Sequence, residues 1–363
     1  MEIYIAVFLI EMLLGFIILG IHPQNASNRK KIIYLALTTA ILGTLCGLRS
    51  SLVGYDTESY YISFERTSDT ISGILSNEQH IETGFAALCT LVKVLGGNFT
   101  HLLLFCSFFI IGSFAIFVYR HSQNVLLSIF ILMCFPYYYS SFDIIRHFMA
   151  TSFLLLGYKY ILNGKFVKYA LLIIVGSVFQ NTGLIYLLLY PLLRAKWSSK
   201  LFLSIGAGTL IIMLFATSIA GFVVEKTGRF SLIAEEWVGQ FAGGELTALM
   251  YFILFVLACL ARNNIKYKSR ECNMSIISVL LLFAFSLIFI ESRIATRYIM
   301  TFSGLLTVAM PCLLDKEAAT SKSLNSTLLL SFVVIGLLYH AFMLYTNWQN
   351  VVPYIPVMVY PYL

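Results

Sequence analysis

The chain has 363 residues, 24 basic and 17 acidic, with a formal net charge of +7; 59% of its residues are hydrophobic and only 11% are charged. A mean hydropathy of +0.86, with apolar runs of about 20 residues recurring along the chain, exceeds what a soluble domain buries and specifies an all-α polytopic membrane protein. The basic excess is interspersed between apolar runs, so it reads as a topology signal and not as a nucleic-acid footprint. The seven cysteines include no CxxC pair and the six histidines no HxxH or HExxH spacing, so neither metal nor cofactor is expected and the cysteines read as packed free thiols.

The first apolar run, 3–21, has no basic residue before it, carries Glu11, and is followed by Arg29-Lys30-Lys31. That order predicts a retained span with the N-terminus outside and no cleavable signal peptide. A second span, 32–48, returns outward and delivers Arg49. Residues 49–100 form an outer loop in which 84–95 is apolar but only about 18 Å long as a helix, which predicts an interfacial or re-entrant element.

Further spans are expected at 101–119, at 124–139, which closes on Tyr137-Tyr138-Tyr139, and at 148–162. The run 169–193 is broken by Phe179-Gln180-Asn181-Thr182-Gly183, and a hairpin with both ends cytoplasmic fits the flanking lysines and arginines better than a single crossing. Spans at 201–224, 246–261, 274–290, 298–314 and 325–345 complete about ten, with a second outer loop at 225–245. The whole of 1–363 reads as one integral membrane domain. Sixteen of the 24 basic residues then face inside, which makes the outer arginines exceptions to explain.

Arg49, Arg146, Arg293 and Arg297 are those exceptions. Their forked donors match phosphate or carboxylate oxygens, as a lipid diphosphate would present; pairing with Asp56, Asp143 and Glu291, or reaching for headgroups, is the plain alternative. Asp56, Glu58 and Glu82 are the nearby carboxylates that could take a proton from an attacking hydroxyl, against a simple solvated role. Tyr60, with Tyr55, Tyr61 and the Tyr137–Tyr139 run, could stack on sugar faces or form an interfacial belt. Glu11 reads as a buried, hydrogen-bonded structural residue.

These residues fall in an order that resembles the EpsG/Wzy family of polysaccharide polymerases. The segment Gly47-Leu48-Arg49 through Val53-Gly54-Tyr55-Asp56 to Tyr60-Tyr61 is similar to its first element. Glu82-Thr83-Gly84-Phe85 resembles a Glu-x-Gly-aromatic element, and Arg146-His147-Phe148-Met149-Ala150 an Arg-Gln-x-x-Ala motif. Phe179-Gln180-Asn181-Thr182-Gly183 resembles a Phe-His-x-Ser-Ala element, and Arg297-Tyr298 and Val352-Pro353-Tyr354 follow in order. His147 and Gln180 depart from the pattern, and Gln180 is no acid or base near neutral pH, so it retains a positioning role only.

The resemblance implies a GT-C-like membrane glycosyltransferase of the bacterial inner membrane, with its active site on the periplasmic or outer face. It would join undecaprenyl-diphosphate-linked oligosaccharide repeat units, as donor and acceptor, into O-antigen, capsule or exopolysaccharide. The arginines would hold the leaving diphosphate, with Tyr60, His147 and Gln180 as further substrate contacts. A chain-length regulator and membrane lipid would be its partners. A lipid-linked oligosaccharide flippase, an O-antigen ligase, a membrane acyltransferase and a structural export subunit are the competing readings.

Overall fold

The computed structural model describes residues 1–70, 81–215, 244–290, 294–347 and 349–358. The described residues contain no strand; two isolated bridges, Arg49 with Pro356 and Ile265 with Ala319, are the extended pairings among them. Helices dominate because an apolar run in a membrane satisfies its backbone only within itself. Side chains fix where several of them begin: Ser27, Asn98, Asn124, Ser198 and Ser269 each accept a backbone N–H from the first turn of the helix that follows.

The protein is a multi-pass, all-α membrane protein, and its packing divides the chain into two compact units. The first comprises 1–190 and 336–363, the second 191–335. In the first unit the helices are α1 (Glu2–Leu19), α2 (Asn28–Gly47), α3 (Thr57–Arg66), α4 (Thr83–Val94), α5 (Phe99–His121), α6 (Val125–Cys134), α7 (Tyr137–Ser140), α8 (Ile145–Leu162) and α9 (Phe166–Ser177). A 3-10 segment over Asn181–Leu188 and α10 (Leu189–Arg194) come next. The second unit holds α11 (Ser199–Leu214), α12 (Gly244–Asn263), α13 (Arg270–Phe289) and α14 (Ile294–Leu313), and α15 (Lys322–Thr346) follows. Among the described residues, six helices (α1, α2, α5, α12, α13 and α15) are long and apolar enough to cross a membrane.

Each of the ten expected spans meets a helix among the described residues, though 216–224 of the span expected at 201–224 lie outside them, and α6 is only 10 residues long and buried throughout. Pro136 explains the stop, since it has no N–H to continue the ladder. The tyrosines after it are neither a belt nor an exposed stacking surface. Tyr137, Tyr138 and Tyr139 are all buried, with Tyr138 donating to the Leu42 carbonyl and Tyr139 sharing a hydrogen bond with His340. Three consecutive aromatic rings carry no periodicity that separates a core from an interface, which is why the sequence reading went wrong there.

The short apolar helix expected in the first outer loop is α4. Its Lys93 acts as a clamp, donating to the Glu65 and Thr67 carbonyls at the end of α3 and lying over the Phe64 ring. The run 169–193 folds back on itself. Tyr169 donates to the Tyr186 carbonyl, and Tyr190 packs against both Phe166 and Tyr169. This is hairpin geometry, with the bend at 178–180. Glu11 is fully buried and accepts a hydrogen bond of 2.6 Å from Thr38. Of the second outer loop expected at 225–245, residues 225–243 lie outside the described residues, and Gly244 and Glu245 open α12.

In the second unit α13 packs on α11, α12 and α14. Asn264 ties the following loop to the start of α15, accepting from the Ser321 and Thr320 amides and donating to the Ser321 carbonyl.

Candidate functional site

The centre of the first unit lies where the 48–57 loop, α3, α4 and the start of α8 meet. The loop is held from behind by the turn between α7 and α8. Arg49 is fully buried; it donates to the Cys46 carbonyl and, at 2.6 Å, to the Phe142 carbonyl, and its guanidinium lies 5.3 Å from the Phe142 ring centre. Thr57 donates to the same Phe142 carbonyl at 3.1 Å, and the Asp56 amide donates to the Asp143 carboxylate at 2.7 Å. Gly54 permits this close fit, since its φ is +95° and an added Cβ would stand 3.0 Å from the Phe142 carbonyl oxygen.

The front of the centre is Arg146, in the first turn of α8, whose Nη1 is paired with the Glu82 carboxylate. Its guanidinium lies over two rings, 5.5 Å from Tyr60 and 6.0 Å from Phe85, and those rings are 5.5 Å from each other. The Arg146 side chain keeps 27% exposure and Glu82 12%, so the pair is sunk but reachable. Asp56 acts electrostatically on Arg146, and both Asp56 and Asp143 act on Tyr60. Burial pushes the Tyr60 phenol up to about 12, with Arg146 opposing and the two aspartates adding to the rise. Tyr60 is therefore a neutral hydroxyl at physiological pH.

The hairpin tip closes one side. Gly84, at the start of α4, donates its N–H to the Val178 carbonyl at 3.0 Å. Ala150 meets the hairpin at both Gly176 and Gly183, each of which would bring a Cβ to 3.2 Å of it. His147 is buried, with Nε2 3.3 Å from the Tyr186 hydroxyl, which in turn lies 2.9 Å from Thr151. Gln180 is buried at the bend and its carbonyl accepts from the Gly183 amide.

The first unit thus gathers Arg49, Asp56, Tyr60, Glu82, Arg146, His147 and Gln180 at one end of its bundle. Arg49 is behind the centre and not in it. Glu58 is exposed on α3, as is Tyr55 in the loop before it, while Tyr61 turns to pack on Phe99. Arg297 is half-buried on α14 in the second unit, and Arg293 and Glu291 lie outside the described residues. The sequence offers Asp143 as a partner for arginine; that it also accepts from the Asp56 backbone amide has no signal in the sequence. Tyr186 was missed because it stands in an apolar run with no marker but its distance from the bend. Among the described residues no three His, Cys, Asp or Glu side chains group closely enough to hold a metal ion.

Comparison with known proteins gives one strong result. The model of the EpsG family matches residues 32–355, nearly the whole chain. No curated protein and no solved structure matches.

Proposed function

The chain belongs to the EpsG family, a family of Wzy-like polysaccharide polymerases, and we propose that it joins lipid-linked oligosaccharide units by glycosyl transfer of the GT-C type. The units are carried on undecaprenyl diphosphate, and the reaction takes place at the outer face of a bacterial inner membrane. The observation that supports this reading is the meeting of three separate sequence elements: Glu82–Phe85 and the start of α8 join through the Arg146–Glu82 pair, and the Phe179–Gly183 bend reaches them through Gly84 and Val178.

In the reaction an acceptor sugar hydroxyl bonds to the anomeric carbon of the donor. The carbon–oxygen bond to the lipid diphosphate breaks, the diphosphate leaves with the electron pair, and a carboxylate takes the hydroxyl proton. Glu82 and Asp56 flank Arg146 and are the carboxylates suited to that proton; exposed Glu58 is not. Tyr60, His147 and Gln180 supply hydrogen-bonding groups. The leaving diphosphate needs cationic donors. Arg49 contributes by holding the loop that carries Asp56.

Depletion in the source bacterium tests the reading. Lipid-linked single units should accumulate while long surface chains disappear from a gel. Loss of all outward-facing units would indicate a flippase, and normal chains lacking only an acyl group an acyltransferase; either outcome removes the polymerase reading.

A further inference from the structure

The charge balance around Arg146 does not suit a diphosphate. Among the described residues, Arg146 and Arg49 are matched against three carboxylates, Glu82, Asp56 and Asp143, which leaves a formal charge of −1 before any ligand arrives. Arg49 adds little outward, because it is fully buried with its donors on the Cys46 and Phe142 carbonyls. An incoming dianion would meet net repulsion in a partly desolvated cleft, where charges act strongly on each other.

Access points the same way. A phosphate is gripped by the donor edge of a guanidinium, and at Arg146 Nη1 is taken by Glu82 while Nε is buried away from the cleft opening. The guanidinium faces Tyr60 and Phe85. What remains around the pair suits an uncharged hydroxyl: carboxylate oxygens to accept, and the Tyr60 phenol as a neutral group that both donates and accepts.

We propose that the Arg146 centre is the subsite for the acceptor sugar, and that Glu82 both orients the attacking hydroxyl and keeps phosphate off Arg146. This rests on the polymerase reading above and divides its substrate: the hydroxyl-bearing partner binds here, and the diphosphate of the donor is held by other cations.

The test is equilibrium binding of radiolabelled inorganic diphosphate to the full chain in nanodiscs of zwitterionic lipid, a readout that needs no turnover. Wild type, Glu82→Gln and the double variant Glu82→Gln/Arg146→Gln are compared at equal folded protein. Removing the carboxylate exposes the guanidinium edge, so Glu82→Gln should bind diphosphate at least tenfold more tightly than wild type. The double variant should lose that gain. Equal binding by wild type and Glu82→Gln overturns the proposal, as does a gain that survives in the double variant. If Glu82→Gln does not stay folded, Glu82→Ala and Arg146→Lys replace it: the first should gain as above, and a tenfold loss of diphosphate binding in Arg146→Lys against wild type overturns the idea. Failure here leaves polymerisation itself intact, because that is read separately as chain length in the depleted strain. Absence of any change in chain length there removes both.

Discussion

At Arg49 one guanidinium serves two backbone carbonyls from distant parts of the chain, those of Cys46 and Phe142, with no exposure to solvent. Removing it takes the donor from the Cys46 carbonyl and leaves the Phe142 carbonyl with Thr57 alone, at about 1–3 kcal/mol for the unmet acceptor. Arg49→Met, which keeps the side chain's length, should therefore destabilise the protein by about 1–3 kcal/mol and lower its thermal midpoint in detergent, with membrane levels and chain length falling together. Arg146→Gln should instead keep its membrane level and lose only the long chains. An Arg49→Met protein of normal thermal stability would show that its charge, and not its carbonyl bonds, matters. Both arginines were legible in the sequence as costly charges beside apolar runs. Their different fates were not, because the deciding partners are main-chain atoms and a carboxylate 64 positions away.

At the scale of the element, α4 owes its place to a residue that has no side chain. A Cβ on Gly84 would stand 2.7 Å from Val178 Cγ1 and 2.8 Å from the Val178 carbonyl oxygen. Glu82 is two residues earlier, so anything that pushes α4 off the hairpin tip moves the carboxylate off Arg146. Gly84→Ala should cost about 1–3 kcal/mol through overpacking and shorten the glycan chains sharply. A second change, Val178→Ala, removes the methyl clash but not the one with the backbone oxygen, so the double variant should remain defective; full recovery of chain length would mean that side-chain crowding alone fixes α4. The spans themselves were legible because an apolar run in a membrane has few options. The broken run 169–193 was legible as a hairpin from its polar centre and basic ends. The early end of α6 was marked by Pro136, yet the burial of the tyrosines beyond it depends on neighbours that periodicity does not specify.

For the molecule as a whole, the strongest constraint on the centre comes from the far end of the chain. Residues 350–357 lie along the 48–54 loop. The Ser50 amide donates to the Ile355 carbonyl at 2.8 Å, the Val357 amide to Leu48 at 2.9 Å, and the Gly54 amide to Asn350 at 2.9 Å. Tyr354 donates to the Leu45 carbonyl, and Tyr4, near the start of α1, donates to the Val351 carbonyl. Asn347 locks the strap's own fold, bonding both ways with Val352. Contacts that separate partners by 309 and 347 positions leave no trace in one sequence, whereas the class of the protein follows from its composition. The loop is thus fixed on two sides, by the turn that binds Asp56 and by the strap, and its own sequence supplies little: Gly54 is left-handed and Asp56 makes no side-chain cap bond to α3. A chain ending at Asn347 should keep its helices but lose the acceptors for the Ser50 and Gly54 amides. Hydrogen exchange read by mass spectrometry should then rise at least tenfold over 48–57, while α5 and α8 keep their protection, and long glycan chains should be lost because Asp56 and α3 are no longer held against Arg146. Unchanged protection of 48–57 in the shortened chain would mean that the Phe142–Asp143 turn suffices, and that the strap serves something other than the centre.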